Sequence, residues 1–115
     1  MSEDCLFCKI VAGDIPADVV YDSDEVLGFR DIAPQAPVHA LFIPKKHIST
    51  INDATLDDAE ILGQLLLAAS AFSKEQGIDE PGFRVAMNCN NDGGQTVYHI
   101  HLHLLGGRQM SWPPG

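Results

Sequence analysis

Apolar residues along the chain fall into five short clusters separated by turn residues, and the last cluster alternates between apolar residues and histidine. The clusters are residues 18–21, 25–29, 39–43, 83–88 and 97–105. Alternation with a period of two is typical of a β-strand, because successive side chains point to opposite faces of a sheet. Asp22, Ser23 and Asp24, between the first two clusters, favour a turn. We therefore predict five strands, of which the first two form a hairpin.

One longer segment, residues 56–76, has the periodicity of an α-helix. Its apolar residues recur three or four positions apart, at Ile61, Leu62, Leu65, Leu66, Ala69 and Phe72. Thr55 is a suitable N-cap with Asp58 three positions later, and Gly77 is suited to end the helix. Five strands and one main helix in this order predict an α+β domain whose helix covers one face of an antiparallel sheet. We assign the whole chain, residues 1–115, to this single domain.

Charge and apolar content exclude several classes of function. Seven Lys and Arg against sixteen Asp and Glu give a net charge of −9, which repels nucleic acid polymers and anionic membrane surfaces. The longest apolar stretch, residues 65–69, is too short to span a bilayer. The acidic start, residues 1–4, lacks the basic and apolar regions of a signal peptide, so we expect a cytoplasmic protein.

Three of the five histidines lie in one row, at His99, His101 and His103. In an extended strand, residues two apart lie about 6.6–6.8 Å from each other on the same face, so these imidazoles should share one face. The apolar residues between and beside them should pack inward: Tyr98, Ile100, Leu102 and Leu104. Imidazoles titrate near neutral pH, and such a row can supply a nucleophile, a proton carrier or a metal ligand.

The residues before this row are suited to a phosphate ester. Gly93 and Gly94 allow a phosphate to approach main-chain N–H groups, and Gln95 and Thr96 can hydrogen-bond to phosphate oxygens or to the leaving atom. A histidine that attacks phosphorus needs one ring nitrogen free and the other fixed by a hydrogen bond. The segment therefore predicts phosphoryl chemistry by a histidine nucleophile.

The three cysteines suggest a metal centre rather than a disulfide framework. Their number is odd, and two of them form the motif Cys5-x-x-Cys8. Two cysteines at this spacing can hold Zn²⁺, with His47 and His99 as the remaining ligands of a tetrahedral structural site. A redox pair is disfavoured because the motif does not follow a strand in a βαβ unit.

Residues 93–108 closely resemble the signature of the histidine-triad superfamily, and specifically its histidine-triad nucleotide-binding (Hint) branch. The resemblance extends over most of the chain, through residues 7–10, 13–17, 29–32, 34–39, 43–48 and 112–115. It implies a homodimer whose two sheets join into one. It also implies purine nucleoside monophosphate binding and hydrolysis of AMP linked through phosphorus to an amine or acyl group. No cofactor would be required for catalysis, and zinc would be structural.

The resemblance also assigns roles to individual residues. His101 would be the nucleophile that attacks the α-phosphorus and forms an adenylyl-histidine intermediate. His103 and His39 would shape the phosphate site and transfer protons, and His99 would orient the cluster. Thr96, where eukaryotic members usually have Ser, would hydrogen-bond to the leaving nitrogen.

Further positions are implied to bind the nucleotide. Asp31 would accept hydrogen bonds from both ribose hydroxyls, and Asn88 would reach the phosphate or the ribose. Arg30, where many relatives have His, would lie beside the ribose. The phosphate would lie near Gly94 and Gln95, and the base would lie between Phe7, Ile15, Phe29, Ile32 and Leu41.

Two other classes of function stay open at this point. In the first, His99, His101 and a third residue hold a catalytic zinc ion, since two histidines at i and i+2 on a strand can share one ion. In the second, the chain is a purine-nucleotide-binding interaction scaffold with incidental turnover. The base preference, the leaving group and any protein partner are not encoded in a recognisable pattern.

Overall fold

A five-stranded antiparallel sheet forms the centre of the structure, a computed structural model that describes residues 4–115. The strands are β1 (Val19–Asp22), β2 (Val26–Arg30), β3 (Val38–Pro44), β4 (Phe83–Ala86) and β5 (Leu102–Gly106). Their order across the sheet is β1-β2-β3-β5-β4, and every neighbouring pair is antiparallel. The predicted α+β class and the hairpin of β1 and β2 are therefore confirmed, with both hairpin strands one residue later than predicted.

The main helix, α2 (Ala59–Glu75), begins later than predicted because its first turn is a separate 3-10 helix, Leu56–Asp58. Thr55 caps that turn as predicted. Its hydroxyl accepts from the main-chain N–H of Asp57, and the Asp58 carboxylate accepts from the N–H of Thr55. The helix ends before Gly77, whose φ of 71° lies in the left-handed region that favours glycine.

Two further α-helices within residues 4–115, and a 3-10 helix at Ile51–Asp53, were not predicted. The first, α1 (Leu6–Ala12), starts at Cys5, whose Sγ accepts from the N–H of Cys8 at 3.3 Å. Cysteine is not among the usual N-cap residues, so the sequence carried no start signal there. The second, α3 (Asn90–Gly93), is a single turn in the segment predicted as a polar turn.

Each face of the sheet has its own apolar core, because the side chains of β3 alternate between them. Ala40 and Phe42 pack with α2, whereas Leu41 and Ile43 pack on the opposite face with Phe7 of α1. The helix α2 therefore covers one face, as predicted. On the other face α1 leaves part of the sheet open, and the candidate site lies there. No helix within residues 4–115 is long and apolar enough to cross a membrane.

The predicted fifth strand is wrong in its first half, because β5 starts only at Leu102. Of the three histidines in the predicted row, His99 and His101 therefore lie in an irregular segment, and only His103 lies in a strand. This segment bonds to the chain after β3 instead of to a strand, since the N–H of Ile100 donates to the carbonyl of Ile48 at 2.7 Å. Tyr98 is 46% exposed and does not pack inward as predicted, whereas Ile100, Leu102 and Leu104 are buried.

Candidate functional site

The five histidines lie in two adjoining groups on the open face of the sheet. His39, His101 and His103 form the first group, in which neighbouring ring centroids lie 5.0–5.3 Å apart. His47 and His99 form the second group, together with two cysteines. The three imidazoles of the predicted row therefore share one face, where Phe7 packs against both His99 and His101. They divide between two clusters, since His99 belongs to a different cluster from His101.

His101 has a tautomer that is fixed by the main chain. Its Nδ1 lies 2.8 Å from the carbonyl oxygen of His99. Because a carbonyl can only accept, Nδ1 carries the hydrogen and Nε2 keeps a free lone pair. The ring is buried, with the edge of Phe7 packed against it at a centroid distance of 5.2 Å. This is the form that a histidine nucleophile needs.

His39 and His103 form a directed hydrogen-bond chain. The N–H of Gln35 donates to Nδ1 of His39 at 3.0 Å, so Nε2 of His39 carries the hydrogen. That Nε2 lies 3.0 Å from Nδ1 of His103 and 3.4 Å from a carboxylate oxygen of Asp31. His103 therefore accepts at Nδ1 and has its own hydrogen on Nε2, where it can serve as a donor.

Burial keeps this pair of rings neutral near pH 7. Burial, with the neighbouring rings of His101 and His39, lowers the pKa of His103 from 6.5 to about 4, and Asp31 opposes the shift. Burial also lowers the pKa of His39, again against the charge of Asp31. Neutral rings are required for the tautomers described above, since a charged imidazole donates from both nitrogens.

A cavity of about 710 Å³ opens in front of this cluster and is lined by His101 and His103. Its volume is in the range of small-molecule and cofactor sites. Asp31 and Thr96 also line it. So do all five residues that were predicted to contact a base: Phe7, Ile15, Phe29, Ile32 and Leu41. Ile32 is fully exposed and lies at the rim, whereas Phe7, Phe29 and Leu41 are buried.

Asp31 and Arg30 are both held by neighbours at the edge of the cavity. One carboxylate oxygen of Asp31 accepts from the N–H of Ala33 at 2.8 Å, which leaves further lone pairs for a ligand. The guanidinium of Arg30 lies 5.6 Å from the ring centroid of Phe72 and 3.3 Å from the carboxylate of Asp18. The cation is thus stacked against Phe72 of α2, while Arg30 also belongs to the lining of the cavity.

Both polar atoms of the Gln95 side chain form hydrogen bonds with the main chain. Its amide nitrogen donates to the carbonyls of Ser49 and Val97 at 2.8 and 3.1 Å, and its oxygen accepts from the N–H of Asn90 at 2.9 Å. The structure thus gives it main-chain partners where a phosphate contact was predicted. Neither Asn88 nor Gly94 is part of the cavity lining, and Gly94 has the left-handed φ of 79°.

The second group has the donor set of a metal centre. The ligand atoms of Cys5, Cys8, His47 and His99 all lie within 4.8 Å of one another, as predicted from the sequence. Nδ1 of His99 lies 3.3 Å from Sγ of Cys5 and 3.5 Å from Sγ of Cys8, and Nδ1 of His47 lies 3.3 Å from Sγ of Cys8.

A hydrogen bond on the far side of His99 points its Nδ1 lone pair into this cluster, because its Nε2 donates to the carbonyl of Pro44 at 2.7 Å. Nε2 of His47 lies 3.2 Å from the hydroxyl of Ser49. Its Nδ1 lies 3.2 Å from Nδ1 of His99, so both rings place a potential ligand atom in the cluster. Two thiols and two imidazoles, with no water position among the four, fit a structural zinc ion.

Burial and the Cys5 thiol raise the pKa of Cys8 to about 11, so the thiol stays protonated near neutral pH unless a bound cation favours the thiolate.

A third group of potential ligands, Asp31, His39 and His103, does not fit a metal. Because the Gln35 N–H donates to Nδ1 of His39, Nε2 of that ring carries the hydrogen and is not a free ligand atom.

The groups that form hydrogen bonds to the histidine rings in the two clusters were not predicted from the sequence. Gln35 and Pro44 act through main-chain atoms, which have no side-chain signal. Ser49 was within reach of prediction, since it lies two residues after His47 and a metal-bound histidine needs a partner for its other ring nitrogen.

The chain is similar to known proteins over most of its length. The HIT domain family model matches residues 12–110. The purine nucleoside phosphoramidase of Escherichia coli (strain K12) is 48% identical over 110 residues, which are 96% of this chain and 92% of that protein. An uncharacterized HIT-like protein of Synechococcus elongatus is 53% identical over 115 residues, 100% of both chains.

The fold also matches solved structures closely. A HIT family hydrolase from Legionella pneumophila Philadelphia 1 superimposes with a TM-score of 0.96 at 59% identity, covering 97% of this chain and 100% of that chain. A histidine triad protein from Clostridium difficile has a TM-score of 0.91 at 44% identity, covering 94% of both chains. The resemblance stated from the sequence is confirmed: the chain belongs to the histidine-triad (HIT) family.

Proposed function

We propose that the protein hydrolyses the phosphorus–nitrogen bond of purine nucleoside phosphoramidates through a covalent nucleotidyl intermediate on His101. The observation that carries this proposal is the 2.8 Å hydrogen bond from Nδ1 of His101 to the carbonyl of His99, which leaves Nε2 as a free nucleophile beside the cavity. The phosphoramidase activity named for the Escherichia coli relative supports the same reaction. Acyl adenylates are a second substrate class for the same chemistry.

The reaction is a double displacement. Nε2 of His101 attacks the α-phosphorus, the phosphorus–nitrogen bond breaks, and its electron pair stays on the amine, which takes up a proton from solvent water. A water molecule then attacks the phosphorus and loses a proton to solvent, the bond to Nε2 breaks, and the lone pair returns to His101. His103 donates its Nε2–H to the phosphoryl group, His39 and Asp31 support that donor, and the Thr96 hydroxyl hydrogen-bonds to the leaving nitrogen.

Nucleotide recognition follows from the composition of the cavity walls. The ribose hydroxyls donate to Asp31, whose carboxylate lies at the rim, and the purine lies between the apolar side chains around Phe29 and Leu41. Arg30 is engaged by Phe72 and Asp18, so we expect it to change nucleotide affinity little. Asn88, Gly94 and Gln95 shape the chain around the phosphate, with Gln95 acting through its main-chain partners.

Zinc, when bound by Cys5, Cys8, His47 and His99, would cross-link α1 to the segment that carries the nucleophile. The ion would supply rigidity, and no chemical step passes through it. His99 takes part twice, because its ring belongs to the metal centre while its carbonyl holds His101. The closed set of four protein ligands favours this role over that of a zinc hydrolase.

We further propose a homodimer built through β4, which lies at one edge of the sheet. An edge strand presents unpaired main-chain groups, and pairing with a second copy would join the two sheets into one. Residues 1–115 would act as one domain in the cytoplasm. The net charge of −9 disfavours polymeric nucleic acid and membrane partners.

Hydrolysis of an adenosine phosphoramidate, followed by chromatography of AMP and amine, tests the function. We expect turnover that persists in EDTA and is lost in His101→Ala, with circular dichroism showing that each sample stays folded. Activity lost on chelation from a folded protein would indicate a zinc hydrolase. Tight AMP binding without turnover of any phosphorus–nitrogen substrate would indicate a binding scaffold.

A further inference from the structure

Cys5 and Cys8 lie on one helical turn at the start of α1, with their sulfurs close together. Cys5 is the N-cap, and its Sγ accepts from the main-chain N–H of Cys8 at 3.3 Å. The two sulfurs lie within 4.8 Å of each other. In a helical turn, Cα atoms three residues apart lie about 5 Å from each other. That separation is within the range that a disulfide spans, so the two thiols can be joined without unwinding the helix.

We propose that this pair of thiols is a site of reversible oxidation, at which hydrogen peroxide joins Cys5 and Cys8 in a disulfide. One sulfur attacks a peroxide oxygen, the O–O bond breaks, and water leaves, which forms a sulfenic acid. The other sulfur attacks that sulfenic sulfur, the S–O bond breaks, and a second water molecule leaves. The two thiols lose two electrons and two protons in total, and one peroxide molecule becomes two water molecules.

This oxidation differs from the redox catalysis that the sequence disfavoured. A thioredoxin-like pair follows a strand in a βαβ unit, whereas α1 precedes the five strands of the sheet. The disulfide therefore forms and breaks within this chain, and we expect no exchange with the disulfides of other proteins.

A cavity of about 570 Å³ gives a small oxidant access to the pair. Cys5 is one of its lining residues, as are His47 of the metal centre and Ser49. Cys8 is outside this lining and is half-buried, so neither thiol is enclosed in the core. Cys89, the third cysteine of the chain, is not part of the cluster. Cys5 and Cys8 are therefore the two thiols that oxidation should link.

The disulfide and a zinc ion compete for the same two sulfurs, a consequence that rests on the proposed metal centre. Nδ1 of His99 lies 3.3 Å from Sγ of Cys5 and 3.5 Å from Sγ of Cys8. Zinc binds deprotonated sulfur and a disulfide offers none, so oxidation leaves only the imidazoles of His47 and His99 as ligands. The ion is then released, and two protons from solvent take the place of the thiol protons in the water that forms.

The proposed nucleophile is held independently of the two sulfurs. The carbonyl of His99, and not its ring, fixes Nδ1 of His101. The ring of His99 keeps its 2.7 Å hydrogen bond to the carbonyl of Pro44 when the sulfurs are oxidised. Hydrolysis should therefore continue in the oxidised protein, and the oxidation acts on zinc binding.

Zinc-loaded protein treated with dilute hydrogen peroxide tests this inference. We expect intact mass spectrometry to show the loss of two hydrogen atoms per chain, and peptide mapping to place the new bond between Cys5 and Cys8. A chromophoric chelator should detect one zinc ion for each disulfide. Dithiothreitol should restore zinc binding, which should be at least about 100-fold weaker in the oxidised protein. Hydrolysis of an adenosine phosphoramidate should stay within about twofold of the untreated rate.

Two variants provide the controls. Cys89→Ser, which removes the cysteine outside the cluster, should form the disulfide and release zinc at the wild-type rate. Cys8→Ser should form no bond within the chain, and the sulfur of Cys5 should gain oxygen instead, because the second thiol of the pair is missing. Circular dichroism checks that both variants are folded, and the mapping of the wild type does not depend on either.

Several results would overturn the inference. The pair would not be a disulfide site if its thiols stayed reduced where free cysteine is oxidised, if either became a sulfinic acid without a bond between them, or if the bond joined Cys89 or a second chain. Zinc that is absent before oxidation, or that stays bound after it, would overturn the release of the ion. A disulfide and zinc release in a protein that cleaves no phosphoramidate would support the inference and remove only the proposed function.

Discussion

His99 and His101 are two residues apart, yet the structure prepares them for opposite chemistry. Nε2 of His99 donates to the carbonyl of Pro44, so its Nδ1 lone pair faces the thiols. Nδ1 of His101 donates to the carbonyl of His99, so its Nε2 lone pair is free beside the cavity. The comparison teaches that the position of one main-chain acceptor decides which ring nitrogen keeps its lone pair, and therefore whether that lone pair faces the thiols or the cavity.

The surroundings of the two rings also differ, because His99 is enclosed by protein atoms and His101 faces a cavity. His99 is fully buried, and its ligand atom lies within 4.8 Å of those of Cys5, Cys8 and His47. A set of four protein ligands leaves no position for a substrate. His101 is buried on one side by Phe7 and lines a cavity on the other. One region is therefore closed and suited to hold the fold together, and the other is open and suited to react.

The largest effect should come from removing the proposed nucleophile. His101→Ala should lower kcat for an adenosine phosphoramidate by at least about 10³-fold, because no other ring offers a free lone pair at the same position. Zinc content, measured by mass spectrometry of the purified protein, should not change. A residual rate close to that of the wild type would remove His101 from the chemical step.

Removal of a proposed zinc ligand should affect metal binding and stability more than catalysis. Cys8→Ser should weaken zinc binding by at least about 100-fold and lower the melting temperature, while most of kcat is retained. Competition with a chromophoric chelator measures the affinity. Cys89→Ser is the matched control, since Cys89 is a free cysteine outside both clusters. Equal zinc affinity in both variants would contradict the assignment of the four ligands.

A substitution of Asp31 tests whether its carboxylate binds the nucleotide. Asp31→Ala should weaken AMP binding by about 1.5–3 kcal/mol, the loss expected for hydrogen bonds to a charged group, as measured by calorimetry. Asp22→Ala provides the control, because it removes the same charge from a surface pair with Lys45. A dissociation constant that is the same in wild type and Asp31→Ala would exclude the carboxylate from the site.

The smallest effect should be a pH dependence of stability. Because the pKa of His103 is lowered to about 4 from 6.5, the unfolded chain binds more protons than the folded one between these values. The free energy of unfolding should therefore fall as the pH is lowered through this window. His103→Gln should flatten the slope by up to about 1.4 kcal/mol per pH unit. Urea unfolding in EDTA measures it, and equal slopes would contradict the shift.

Much of the fold could be predicted because its signals are local. The periodicity of α2, the cap formed by Thr55 and Asp58, and the stop at Gly77 all lie within a few residues of one another. The prediction failed between residues 97 and 101, where the main chain bonds to Ile48 and the side chain of Gln95 reaches Ser49. Those partners are about fifty residues away in sequence, so periodicity cannot reveal them.

The candidate site also has features that could be predicted from the sequence and features that could not. The membership of the metal centre was predictable, because the spacing of Cys5 and Cys8 and the chemistry of His47 and His99 are sequence features. The tautomers were not, since they depend on which main-chain carbonyl or N–H meets each ring. The exposed position of Tyr98 was missed because alternation placed it in the core.

The central claim is that His101 forms a covalent bond to phosphorus without a metal in the chemical step. Intact mass spectrometry tests it on wild type and His103→Ala, rapidly quenched after mixing with an adenosine phosphoramidate in EDTA. We predict an added adenylyl mass that peptide mapping places on His101 and that accumulates in His103→Ala. Turnover without an adduct in either protein, abolished by EDTA while the protein stays folded, would contradict the account.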